Sequence, residues 1–233
     1  DYTVERRYWA QTPRSTFRSF MGDLAVDGSG NIYVGDVGNS RIQKFTGDGK
    51  FLTQWTGPAP GFYGPRDLCV TADNFIYVVD QGHARIVKFD ANGVFVTTWG
   101  TQGQSDGQFV EPAAVAVSEK NQRVYVADPR NKRIQVFDPG GKFITKWPVP
   151  EWQTTSWLFH HLLIDQEADR LYATSPTTDE VLIFDLDGKR IGELKAKPPD
   201  NLEGASALAL VNGKLYVLCT FADRVRLIDL RAK

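Results

Sequence analysis

The chain has 233 residues, with 27 Lys and Arg against 28 Asp and Glu and only two cysteines. That length supports a sizeable core, the balanced charge supplies no field that would gather nucleic acid or anionic lipid, and two cysteines make neither a disulfide framework nor a metal knuckle. The longest apolar runs, such as Ala207 to Val211, are strand-sized and too short to span a bilayer as helices.

Read in order, the elements recur. Thr3-Val-Glu-Arg-Arg-Tyr-Trp9 is a short strand pattern ending in Trp, and Trp9, Trp55, Trp99, Trp147 and Leu194 then stand 46, 44, 48 and 47 residues apart. Each interval opens on an apolar run that we denote strand a: Asp23 to Asp27, Asp67 to Thr71, Ala114 to Ser118, His161 to Asp165 and Ala207 to Val211. Strand b follows a polar turn and carries Tyr at a fixed place, at Tyr33, Tyr77, Tyr125, Tyr172 and Tyr216. Strand c runs from Arg41, Arg85, Arg133, Glu180 and Arg224, and strand d ends at the Trp or Leu of the period. Short β-branched and aromatic runs between Asn, Asp and Gly turns are what antiparallel hairpins require. A unit of this size cannot bury both of its own faces, so the copies must stack.

The expected fold is therefore all-β, a five-bladed β-propeller of four-stranded antiparallel blades forming a single domain over 1–233, with repeats at about 23–55, 67–99, 114–147, 161–194 and 207–230. The last copy stops after strand c, whereas residues 3–9 match strand d one period early, so the N-terminal strand is expected to complete the last blade and close the ring. Cys69 and Cys219 fall in non-neighbouring repeats and are expected as free, largely buried thiols. The chain opens at Asp1 without an initiator Met or an apolar leader, which fits either a processed exported protein or an excised domain.

The runs Asp36 to Phe45, Asp80 to Phe89 and Asp128 to Phe137 resemble the core of the NHL repeat, whose pattern is Asp, a short turn, Asn-His-Arg and an apolar strand ending in Phe. Gly107-Gln-Phe-Val-Glu-Pro112 and the shorter Gly61 to Pro65 resemble its lead-in. Blade four departs from the pattern at Ser175 and Glu180, and blade five has Cys219 where the others have Asp. The resemblance implies a binding platform for a protein partner more often than an enzyme. By family analogy it also favours an exported or cell-surface setting.

Several residues could carry function. The pairs Asp36 with Arg41, Asp80 with Arg85 and Asp128 with Arg133 recur at one spacing, which points to scaffolding: the Asp is expected to cap amides of its turn and the Arg to lie within its reach. Asp23, Asp67 and His161 begin strands a, which in a ring approach the axis at one mouth of the channel, where they could hold a divalent cation or a small polar ligand. Phe62 and Phe109 are expected to wedge between blades, whereas Tyr63 and, outside the repeat register, Trp152 and Trp157 are candidates for partner recognition on the loops that join strand d to the next strand a.

Amidating lyases, which have NHL-like propellers, hold zinc with histidines. The three histidines here do not suit that centre, since His160 and His161 are adjacent and point to opposite faces of a strand and His83 occupies the turn position where the repeat has Asn. No nucleophile elbow, phosphate loop or Cys-x-x-Cys is present. No catalytic residue, metal ligand set or cofactor is assigned. The expected function is a non-enzymatic binding or scaffold domain that presents a loop face to a protein, or to another copy of itself. The alternative is a metal-assisted lyase or lactone hydrolase at the channel mouth.

Overall fold

The computed structural model describes residues 22–153, 159–195 and 201–231. Among them there is no α-helix, and hence none long and apolar enough to cross a membrane. The chain divides into two compact units, Asp1–Thr98 and Trp99–Lys233.

The first unit holds two four-stranded antiparallel sheets. One is β1 (Leu24–Val26), β2 (Ile32–Asp36), β3 (Arg41–Phe45) and β4 (Phe51–Trp55); the other is β5 (Pro65–Val70), β6 (Ile76–Asp80), β7 (Arg85–Phe89) and β8 (Phe95–Trp99), each in chain order. Strands β1 and β2 lie beside β5. Between the sheets Tyr33, Ile42, Phe62, Leu68, Ile76, Val78, Val87 and Phe89 form one buried cluster.

The second unit opens with a two-residue parallel pair, β9 (Thr101–Gln102) and β10 (Gln108–Phe109). Next come β11 (Ala114–Ser118), β12 (Arg123–Asp128), β13 (Arg133–Phe137) and β14 (Phe143–Pro148), then β15 (Leu162–Asp165), β16 (Arg170–Ser175), β17 (Glu180–Asp185) and β18 (Arg190–Leu194). The last sheet has three strands among the described residues, β19 (Ala205–Val211), β20 (Lys214–Cys219) and β21 (Arg224–Asp229). Strand β15 lies beside both β11 and β19.

The fold is thus all-β, and its five repeats make five small antiparallel sheets, the blades of a β-propeller. The expected closing strand at residues 3–9 lies outside the described residues.

The periodic residues have distinct tasks. Trp55 lies edge-on to Tyr33 and covers Gly93, where an added Cβ would stand 2.8 Å from the indole. Trp147 meets Tyr125 in the same way and covers Gly188, and Trp99, the first residue of the second unit, covers Gly141. Each covered glycine has a positive φ, of 79°, 92° and 91° respectively, so space and backbone both demand Gly there. Blade stacking within each unit is therefore fixed by a ring laid on a bare backbone. The c–d pairings of blades one, three and four also carry one register shift each, next to Phe45, Phe137 and Phe184. Such a bulge adds twist at one repeated place.

Candidate functional site

The turn between strands b and c is the most constant local feature. It is a single 3-10 turn at Val37–Asn39, Gln81–His83, Pro129–Asn131 and Thr220–Ala222, closed by a left-handed residue at Ser40, Ala84, Lys132 and Asp223. The aspartates before the first three are fully buried. Contrary to the expectation from sequence, their carboxylates do not cap the turn's own amides.

They reach across instead. Asp128 accepts hydrogen bonds from the amide of Val110 (3.0 Å), from Asn131 Nδ2 (2.8 Å) and from Arg133 Nε (2.9 Å). Arg133 in turn donates to the carbonyls of Gln104, Ser105 and Gln108. One ion pair thereby fastens the whole incoming d–a loop to its blade, which bears out the scaffolding role by a longer-range route. Burial pushes the Asp128 carboxyl up, against the opposing pull of the Val110 amide, Asn131 and Arg133.

Blade two repeats this clasp with one change. Asp80 accepts from the amide of Tyr63 (2.7 Å) and from Arg85 Nε (2.8 Å), and Arg85 also holds the carbonyls of Pro58 and Gly61. In place of an asparagine, His83 sets Nδ1 2.9 Å from Asp80 Oδ2. The carboxylate accepts at that contact, so Nδ1 is the donor, and in the neutral ring Nε2 is an acceptor. Tyr63 lies over Gly82, where a Cβ would stand 2.2 Å from the ring, and its centroid is 5.7 Å from that of His83. The phenol ring is held from beneath on two sides yet is 65% exposed. The sequence signal for this arrangement was His83 standing in an asparagine position.

Asp23 and Asp67 also converge in the first unit, with carboxylate oxygens within 4.8 Å of each other. The cause is the close approach of two backbones. The amide of Asp23 donates to the carbonyl of Arg66 (2.9 Å), and a Cβ added to Gly22 or Gly35 would stand 2.6 Å from the oxygen of Arg66 or 2.8 Å from that of Pro65. Asp67 is buried, and the two side chains together offer carboxylate oxygens of the kind that divalent cations bind.

His161, in the second unit, is half-buried, and its amide donates to Thr174 Oγ1 at 2.7 Å. Trp152 turns inward and is completely buried: its Nε1 donates to the carbonyl of Thr174 at 3.0 Å and its ring lies edge-on to His160. A large apolar ring whose single donor finds a buried carbonyl gains more inside than on a loop face, so Trp152 is a core residue and not a recognition residue. Trp157 lies outside the described residues. Phe62 and Phe109 are buried against Phe89 and Phe137, as expected. Neither Cys69 nor Cys219 is in a disulfide; the first is half-buried and the second buried.

Stacked four-stranded blades with a repeated Asp–Arg clasp define a β-propeller repeat protein. A family model for the NHL repeat matches residues 22–45, and one described as a six-bladed β-propeller matches residues 62–154. These two matches support an NHL-repeat β-propeller, and the described residues hold five sheets.

Among solved structures, virginiamycin B lyase from Staphylococcus aureus is similar at 14% identity and TM-score 0.63, over 90% of this chain and 69% of that one. A gluconolactonase from Xanthomonas campestris is similar at 20% identity and TM-score 0.65, over 86% and 69%. A chain of the nidogen/laminin complex is similar at 17% identity and TM-score 0.66, over 91% and 76%. At these identities the likeness is one of fold. A comparison with curated proteins gives no match.

Proposed function

We propose that the chain is a non-enzymatic binding module that docks a protein partner, or a second copy of itself, on the loops at the b–c turn end of its blades. The observation that supports this reading is Tyr63, an aromatic ring exposed over most of its surface yet fixed by Gly82, His83 and the Asp80 clasp. A ring already immobilised loses little entropy on binding, which is why fixed aromatics concentrate interface energy. The likeness to a chain of the nidogen/laminin complex agrees with it.

Affinity capture from a native extract tests the proposal. Partners retained by the wild-type chain should be lost with Tyr63→Val, the residue type that blade three carries at Val110. Identical capture by both proteins would set the reading aside.

One observation favours a second reading. The convergent Asp23 and Asp67 carboxylates could hold a divalent cation, and similar solved structures include a lyase and a gluconolactonase, so a metal-assisted lyase or lactone hydrolase is the alternative function. Calorimetric titration with magnesium, calcium and manganese decides: a binding isotherm abolished by Asp67→Asn supports it, and no heat of binding removes it. His161→Ala in the same titration measures whether that histidine contributes.

A further inference from the structure

The repeats provide an internal control for what the scaffold needs. Blades one and three build the clasp turn with Asn39 and Asn131, whose side-chain amides donate to Asp36 and Asp128. Blade three places Val110 where blade two has Tyr63, and the Val110 amide makes the same bond to its aspartate. Asparagine and valine therefore satisfy the fold at these positions. Blade two replaces both, and the two replacements touch. His83, with 31% of its side chain exposed, has its Nδ1 committed to Asp80, so in the neutral ring the remaining nitrogen is an acceptor near a fixed, exposed phenol.

A group that offers both a cation to an aromatic face and N–H donors to an acceptor fits this pair, and guanidinium is that group. We propose that Tyr63 and His83 form a docking point for an arginine side chain of the partner. This deepens the binding reading and rests on it. In the neutral ring Nε2 accepts from the guanidinium. The charged groups around His83 are Asp80, which holds its Nδ1, Arg85, which shares the same carboxylate oxygen, and Arg66 on β5, which donates to Gln81 Oε1 at 3.1 Å.

The probe is N-acetyl-arginine methylamide, titrated into the full chain and followed by NMR at the Tyr63 and His83 rings, in the wild type, His83→Asn and Tyr63→Val. Saturable shifts are expected at both rings near neutral pH, weakened by about fivefold or more in Tyr63→Val, the scale of one cation–π contact. His83→Asn, which keeps a donor to Asp80 but loses the Nε2 acceptor, should weaken binding by about fivefold. Absence of saturable shifts at the two rings, or undiminished affinity in His83→Asn, overturns the proposal. Because the probe needs no partner, the two readings separate. Capture that depends on Tyr63 without probe binding keeps the binding module and removes the arginine, and probe binding with unchanged capture does the opposite.

Discussion

Blades three and five share one register and differ in what surrounds them. Tyr125 pairs with Val136 across β12 and β13, and Tyr216 pairs with Leu227 across β20 and β21 at the same repeat position. Yet Tyr125 is completely buried while Tyr216 is 37% exposed, with Leu218, Val225 and Leu227 exposed on the same face. Arg133 is fixed by a carboxylate and three carbonyls, whereas Arg224 faces Cys219 across the sheet, bonds only Asn201 and keeps a buried Nε without a partner among the described residues. Strand pairing is thus written into each repeat locally. Burial comes from the stacked neighbour, and turn stability comes from an aspartate that blade five lacks.

The largest effect should come from cutting the complete clasp. Asp128→Ala strands the buried Arg133 charge and the Val110 amide, and should cost about 3–5 kcal/mol in urea denaturation, against about 1 kcal/mol for Arg224→Ala in blade five. Equal losses would mean that the clasp is not what distinguishes the two blades.

Next in size is the ring-on-backbone contact. Gly188→Ala sets a Cβ 2.4 Å from the Trp147 ring at a positive φ, and should lower stability by about 2–3 kcal/mol. Gly28→Ala, with nothing within 4 Å of the added carbon, should change it by less than about 0.5 kcal/mol.

A gain tests the same idea from the other side. Cys219→Asp restores an acceptor opposite Arg224 and should raise stability by about 1 kcal/mol, measured by the same denaturation. A loss would show that the surroundings of Cys219 no longer suit a carboxylate.

The smallest effect is on pH. Burial works to raise the Asp27 carboxyl, but hydrogen bonds from Asn31, Tyr33 and Ser29 outweigh it and hold the carboxyl below its usual 3.8. Burial likewise opposes ionised Glu180, but Lys195 and Thr178 hold it below 4.5. Groups depressed in the folded state stabilise it above their unfolded values, and that contribution is lost as pH falls through the folded ones. Acid titration of thermal stability should therefore show a decline setting in below 4.5, made shallower by Asp27→Asn and Glu180→Gln together. An unchanged slope would remove these two carboxylates from the account.

Most of the fold was legible because it is periodic. The Trp spacing and the fixed Tyr placed the described strands of every blade, since a pattern seen in several copies averages out local ambiguity, but not the short pair β9 and β10 inside a d–a loop. Function was less legible because it lies where the pattern breaks. The acceptors of Arg133 are carbonyls some 25 to 29 residues away, and no side-chain pattern announces a carbonyl. Trp152 stands outside the register, where sequence gives no sign of which way a ring turns. The left-handed positions at Ser40, Ala84 and Lys132 carry no glycine to mark them. The convergence of Asp23 and Asp67 was readable from their shared repeat position, but not that Gly22 and Gly35 make the approach possible.

The tryptophan cover has a consequence for how such a chain can change in length. Each indole spans from the end of one period to a bare turn in the following one, so the repeat as written in the gene and the stacked module as built in space are out of phase. Excising one whole period joins an orphaned indole to an equivalent glycine farther along, and the seam heals itself. Excising half a period leaves an uncovered glycine on one side and a naked ring on the other. Copy number in a chain of this kind should therefore drift by whole periods.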